Sequence, residues 1–571
     1  MIRPVRLLGP IFRIELLTTV RRARHYIARG IYGALLLFVF WASYAATFGN
    51  GQVASIQTGA EFGELFFYNF AVLQLIASML VVAAVTSGTI AEERERRTIE
   101  YLFATDLSNA EIVLGKLASR LLHMFAFLAT AVPVLALALL FGGVDADHLV
   151  QLFAMTLSTV VVSASVSMCI SVWTTRPRDA FLRAFIILLG LSTLPILVWG
   201  VSLTRTMFSP LNLWIAPINE KFLESNPFLF LIKMAESRAP VPIATGWVGV
   251  KVLVVNHLTL SLAMIALAVW RVRKVHLGKV TRSVSPSSGR WRRWLWRPAL
   301  GNRPMLWKEM YAEQAIKDLN VVGRVVVVLL FLAILAPLGR TFYKCYTRQF
   351  PRETFQDVAT YLGGTIACAF LLVLGARAAS SVTTEKEKQT WDVLLSTPIT
   401  GLEVVVGKSL GNVYSLRWLL ALFALVWIMA GILLPYCFGL GLLTALTIAL
   451  LSPFFTNIGL FFSLRSRSSS RAMLGSLLVS IMVGGVYLIA LIPFFEGSFD
   501  RGANRFFMAP CAPWLVFWPG WYDPRVRSHL NDAPPEVYVL GVSLYVVAGA
   551  ILVWANVRRF DQCVGRTGPH A

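Results

Sequence analysis

About a dozen stretches of this chain stay apolar for some 18–25 residues, the length a helix needs to cross the hydrocarbon core of a bilayer. In the first half they lie near 31–48, 66–90, 118–142, 148–173, 181–203 and 246–270. In the second they lie near 321–338, 356–380, 411–434, 436–462, 473–495 and 536–557. With hydrophobic residues at 57% and charged residues at 14%, a soluble fold of this size has no core large enough to hide that apolar surface. The expected fold class is an all-α polytopic membrane protein of about twelve transmembrane helices.

The net charge of +22 would suit a nucleic-acid binder, but its distribution reads as topology. With the N-terminus inside, the segments 1–30, 91–117, 174–180, 271–320, 381–410, 463–472 and 558–571, with their flanks, hold about 37 of the 52 Lys and Arg, and the external loops about 13, which is the positive-inside bias. Both termini are expected on the cytoplasmic side of the cell (inner) membrane, with the lipid bilayer and no nucleic acid as partner. The basic start and first apolar run imitate a signal peptide. The stretch before the run is long and the run nearly spans, so it reads as an uncleaved first helix. Ile11 to Ile27 reads as a basic amphipathic helix lying along the membrane surface. Six scattered cysteines without a CxxC pair give neither a disulfide scaffold nor a zinc site. The seven histidines show no metal-ligand spacing.

The chain repeats itself at an offset of 292 residues. Glu93-Arg94-Glu95-Arg96-Arg97-Thr98 falls on Glu385-Lys386-Glu387-Lys388-Gln389-Thr390, and without a gap Leu102 meets Leu394, Thr105 meets Thr397, Glu111 meets Glu403 and Gly115-Lys116 meets Gly407-Lys408. The same offset brings Ser171 onto Ser463 and Ala180 onto Ala472. Periods like this decide architecture before local motifs do. An even number of spans per unit makes the repeat parallel, whereas inverted repeats need an odd number. The expected organisation is a first transmembrane half at 1–274, a basic Ser/Trp-rich linker at 275–302 and a second half at 303–571. Ser283 to Gly289 make that linker flexible, and its Arg and Trp residues suit an anionic membrane face.

In each half the second span continues into a charged helix, breaks, and restarts. The breaks fall at Ala104-Thr105-Asp106-Leu107 and at Ser396-Thr397-Pro398-Ile399. Both restarts are capping boxes, Ser108 with Glu111 and Thr400 with Glu403, in which hydroxyl and carboxylate satisfy each other's backbone amides. Pro398 presets the preceding turn. A mixed-charge run alone is a solvated helical face supported by Glu–Arg pairs. Two copies, each followed by apolar residues (Ile99, Leu102, Phe103; Trp391, Leu394, Leu395) and a capped restart, suit docking to another protein, with Trp391 as an aromatic anchor.

The pattern from Glu385 to Lys408 resembles the permease subunits of ABC-2 type ATP-binding cassette transporters, and Glu93 to Lys116 resembles it less purely, with Asp106 where that family usually has Pro. The resemblance implies two permease halves fused in tandem. It also implies an amphipathic helix repeated around Trp307-Lys308-Glu309, and a coupling helix in each loop that sits in a cleft of the ATPase. The expected coupling residues are Glu93, Glu95, Thr98, Leu102, Ser108 and Glu111 in the first loop. In the second they are Glu385, Glu387, Thr390, Trp391, Leu394, Pro398, Thr400 and Glu403. It further implies ABC-type ATP-binding subunits, two copies by the count of loops, that carry the ATP and Mg, with export as the direction.

No phosphate-binding G-x-x-x-x-G-K-[ST] is present. Gly401 to Ser409 comes near but has five intervening residues and starts a membrane helix, where a phosphate cradle follows a strand. No catalytic, cofactor or metal residue is expected in this chain. The external segments 204–245 and 496–535 read either as partly re-entrant gate helices or as interfacial anchors. Charges inside spans are scarce, with Arg183, Arg377 and Arg417 near span ends, which suits an amphiphilic or bulky hydrophobic cargo. A parallel-repeat secondary carrier and a non-transporting scaffold that docks an ATPase are the alternative readings. The topology predicts that membrane-impermeant thiol labels at positions 93 and 385 react from the same side of the bilayer; opposite sides overturn the parallel arrangement.

Overall fold

The computed structural model describes residues 9–20, 23–48, 55–202, 221–235, 246–280, 304–312, 335, 338–397, 399–466, 468–488, 508–521 and 535–564. Among these residues the chain is helical throughout, with no strand. It divides into two compact units, one dominated by residues 1–288 and the other by residues 289–571.

The first unit contains α1 (Gly9–Val20), α2 (Ala23–Phe48), α3 (Ile56–Thr86), α4 (Thr89–Glu95), α5 (Ile99–Ala104), α6 (Asn109–Leu128), α7 (Val132–Leu139), α8 (Ala146–Trp173), α9 (Pro177–Ser202), α10 (Pro227–Ala235) and α11 (Gly246–Val280). Its centre is α3, α8 and α11. Small hydroxyl residues let helices approach closely where apolar bulk gives no preference for protein over lipid, and α8 buries Thr156, Ser158, Thr159, Ser163, Ser165 and Ser167. Several of these satisfy themselves: Thr156, Thr159 and Ser165 donate to carbonyls one turn back at 2.8, 2.8 and 2.7 Å. Gln74 then cross-links α3 to α8, donating to Thr156 Oγ1 at 3.2 Å.

The second unit contains α12 (Pro304–Trp307), α13 (Glu353–Ser381), α14 (Thr383–Glu387), α15 (Trp391–Leu395), α16 (Gly401–Ser415), α17 (Arg417–Leu433), α18 (Tyr436–Arg465), α19 (Ser469–Ile481), α20 (Ala512–Trp521) and α21 (Pro535–Val564). α13, α18 and α21 form its centre. α13 and α18 meet so closely that a Cβ on Gly459 would run into the carbonyl oxygen of Gly375. Ser476 Oγ donates to that same carbonyl at 3.1 Å, and Asn556 Nδ2 ties α21 to the Asn457 carbonyl of α18 at 2.9 Å.

Among the described residues, eight helices are long and apolar enough to cross a membrane, and nine if α16 and α17, bent by 55° at their junction, count as one span. The expected run at 31–48 falls in α2, whose apolar stretch Arg29–Ala45 is shorter than a full span. Most of the run at 321–338 and most of the linker lie outside the described residues. In the first unit the restart after the charged loop is continuous with the third span: Asn109–Leu137 is one apolar helix, so its beginning lies nine residues before the expected 118. Of the segment expected as one amphipathic helix over Ile11 to Ile27, residues 11–20 belong to α1 and 23–27 to α2, residues 21–22 lying outside the described residues, and α1 packs on α6.

Of the two segments expected outside, residues 221–235 and 508–521 are described. Leu229, Phe230 and Leu231 are buried, as are Leu515, Val516 and Trp518. They pack on α3, α8 and α11 in one unit and on α13, α18 and α21 in the other, so their apolar side chains serve the protein interior. Because α13 and α18 touch backbone to backbone, Gly459→Leu is expected to destabilise the second unit by about 1–3 kcal/mol or more, the range for overpacking. A lowered thermal midpoint and loss of a monodisperse peak in detergent check this.

Candidate functional site

The charged loops follow one construction rule in both units. α4 ends at Glu95 and α14 at Glu387, and each is closed by a left-handed residue two positions on: Arg97 (φ 59) and Gln389 (φ 57). Thr98 N–H donates to Glu93 O at 2.9 Å and Arg97 N–H to Arg94 O at 3.2 Å. Thr390 N–H donates to Glu385 O at 2.9 Å and Gln389 N–H to Lys386 O at 3.2 Å. These paired bonds, six residues to one and five to two, are a Schellman motif. The threonine hydroxyls add a bond to the glutamate side chains, Thr98 to Glu93 and Thr390 to Glu385. The sequence pattern Glu-x-Glu-x-x-Thr is therefore a helix stop with its own side-chain clasp.

The other turns repeat as well. Thr105 Oγ1 donates to Leu102 O at 2.7 Å and Thr397 Oγ1 to Leu394 O at 2.6 Å. Both expected capping boxes form: Glu111 N–H donates to Ser108 Oγ at 3.2 Å while Ser108 N–H donates to Glu111 Oε2 at 2.8 Å. The Thr400–Glu403 pair does the same at 3.3 and 3.1 Å. Pro398 lies outside the described residues.

Each loop is anchored to one long helix of its unit, α8 in the first and α18 in the second. Ser171 Oγ accepts from the amides of Ile90 and Ala91, both at 3.0 Å, and Ser463 Oγ from those of Val382 and Thr383, again at 3.0 Å. A cation then reaches the carbonyl end of that helix, where positive charge is favoured. Arg94 Nη1 donates to Thr174 O at 3.1 Å, and Lys386 Nζ to Leu464 O at 2.6 Å. Glu387 takes a further structural task, accepting from Ser469 N–H and Oγ at 2.8 Å each and so capping α19.

Beneath each loop sits a cluster of ions. Lys116, 4% exposed, lies 2.7 Å from Glu15 of α1 and 3.1 Å from Glu93, and Arg120 lies 3.2 Å from Glu15. Lys408, 1% exposed, lies 2.8 Å from Glu309 and 3.9 Å from Glu385, and Lys308 lies 2.7 Å from Glu385. Sequence reasoning noted the lysines only as part of a pattern and passed over Glu15. Its partner role was detectable as a lone carboxylate in an apolar stretch, but Glu15 and Glu309 are offset by two residues more than the loops.

The expected docking residues separate into two groups. Glu93, Glu385, Thr98 and Thr390 are committed to the clasp, and Leu102 and Leu394 are half-buried. Ile99 is buried with Val113, Leu117 and Val172. Trp391 packs edge-on against Phe560 at 5.7 Å, and with Leu394, Leu395 and Ile399 it covers Met305, Val404 and Phe560. The expected aromatic anchor therefore holds the loop to its own unit. What faces outward is Glu95, Ser108, Thr400 and Glu403, together with two residues that the sequence did not single out. Tyr101 is 76% exposed and Val393 66% exposed. They occupy the same position of the repeat, one turn into α5 and α15.

A left-handed backbone at a non-glycine residue costs about 1 kcal/mol. Gln389→Gly should therefore keep or raise stability, whereas the β-branched Gln389→Val should lower it by about 1–2 kcal/mol. Thermal unfolding of the two purified variants in detergent checks the opposite signs.

Two family matches bear on this architecture, both described as ABC-2 family transporter protein, one over residues 27–270 and one over residues 303–497. No curated protein matches the chain. Each match spans one charged loop with its clasp, its capped restart and its lysine. The chain belongs to the ABC-2 transporter family, as a multi-pass permease with two family domains in tandem.

Proposed function

We propose that this permease subunit couples ATP hydrolysis in separate subunits to export, with the loops at 91–112 and 383–405 as the two docking elements. ABC-2 permease domains imply an ATP-binding partner and a membrane context. The observation that carries the reading is the duplicated loop tip. Each unit presents a short helix, held between a clasped turn and a capped restart, that exposes one large apolar side chain, Tyr101 or Val393, among charged neighbours. A large exposed apolar residue on a rigid mount is what an interface anchor requires, and flexible loops could not transmit a displacement.

In this reading the loops face the cytoplasm, as the excess of basic residues on that side supports. Two ATP-binding subunits, with their ATP and Mg, take one loop each. Closure of those subunits moves the two loops, and through them the second and third spans of each half. The cargo is amphiphilic or bulky and hydrophobic, a reading supported by the scarcity of charged residues inside the apolar runs.

The test is co-purification with the nucleotide-binding subunit of the source cell. Tyr101→Asp with Val393→Asp puts charge at both tips without touching the clasps, and is expected to weaken association by about tenfold or more, since interface anchors contribute 2 kcal/mol and upwards. The untouched protein should bring down an ATPase and the double variant should not. An unchanged yield of ATPase with the double variant overturns docking at these tips, and transport that follows an ion gradient without any ATPase overturns the permease reading in favour of a secondary carrier.

A further inference from the structure

The glycine-lysine pair that closes each loop pattern has no task in docking, because Lys116 and Lys408 are buried. Each lysine instead joins three separate elements. Lys116, on α6, holds Glu93 of the loop and Glu15 of α1 at 3.1 and 2.7 Å. Lys408, on α16, holds Glu385 of the loop at 3.9 Å and Glu309, just after α12, at 2.8 Å. Two carboxylates and two cations assemble in each unit, yet the second cation differs. In the first it is Arg120, bound to Glu15 at 3.2 Å, and in the second Lys308, bound to Glu385 at 2.7 Å. At the position matching Arg120 stands Asn412, which donates to Lys408 O at 2.9 Å. The supporting ions have been exchanged between the halves, while the lysine and its two carboxylates remain.

A buried ion pair is a weak source of stability, since desolvation offsets most of its attraction. It does impose direction, because removing one partner leaves a charge without an acceptor or donor. We propose that Lys116 and Lys408 are coupling pins that carry displacement of the charged loops to the surface helices, α1 in the first half and the 304–312 segment in the second. α1 is suited to receive it: Ile11 is buried against the unit, Glu15 is pinned, and Ile14 and Leu17 are exposed on the other side. The loop thus has a second output besides the spans. The pin is a positioning device, and it rests on the docking reading above.

Movement of α1 can be read without knowing the cargo. The permease with its native ATPase is reconstituted carrying Leu17→Cys in a Cys563→Ser background, because Cys563 is the exposed native cysteine. The rate of maleimide labelling is compared without nucleotide and with ATP and vanadate. Glu15→Gln removes the charge that α1 offers to Lys116, Arg120 and Ser119 of α6 and leaves Lys116 paired with Glu93. It is expected to keep ATPase association and hydrolysis while the nucleotide-dependent change at position 17 falls about fivefold or more, the lower range of allosteric coupling. Lys116→Arg should retain the change and Lys116→Met should lose it. Should Lys116→Met fail to accumulate, Glu15→Gln alone decides the question. A full nucleotide response at position 17 in Glu15→Gln, with the ATPase bound and active, overturns the pin. No ATPase on the unsubstituted protein overturns the docking reading instead.

Discussion

Glu93 and Glu385 each satisfy three demands at once. The backbone carbonyl closes the Schellman turn through the threonine amide, one carboxylate oxygen accepts the hydroxyl of that threonine, and the other faces the buried lysine. All the acceptors of one residue are thereby used at the place where a membrane helix gives way to a charged loop. Backbone groups at such a boundary cannot be left without partners, and a buried lysine cannot be left without a carboxylate. The position of the loop tip, the entry angle of the third span and the seat of the surface helix all follow from this side chain.

The rest of each unit makes that arrangement possible with few specific bonds. In apolar surroundings the helices gain little by burying more apolar surface, so close approach and scattered hydrogen bonds decide which faces meet. The first unit uses the hydroxyl-rich α8 and the Gln74–Thr156 bond. The second uses the contact of Gly459 with the backbone of α13 and the Asn556–Asn457 bond. These solutions differ, while the loop geometry is the same to within a few tenths of an ångström in its defining bonds. Packing has drifted between the two halves where several answers serve, and the loops have not.

That contrast separates residues that build the loop from those free to meet a partner. Part of the charge along the loop is directed inward: Arg94 and Lys386 address helix ends, and Glu387 caps α19. Trp391, the largest side chain in either loop, is spent against Phe560. The outward surface of the two short helices is smaller and plainer than the sequence suggested, and its large apolar members are Tyr101 and Val393. A rigid mount with a small contact surface suits an element whose task is to be pushed.

The sequence alone determined the helical membrane class, the tandem repeat, its offset, and the capped restarts at Ser108 and Thr400. All of these are properties of periodicity, length and near-neighbour spacing, which a linear string carries in full. It also located the loops, because Glu-x-Glu-x-x-Thr is local chemistry closed within six residues. It could not show that Glu15 and Glu309 complete the ion clusters, since their offset from the lysines is set by how α1 and the 304–312 segment lie on α6 and α16. Nor could it tell Trp391 from Tyr101 as the exposed side chain. Which face of a short helix turns inward depends on what packs beneath it, here Phe560 from the far end of the chain, and that is decided only when distant segments meet.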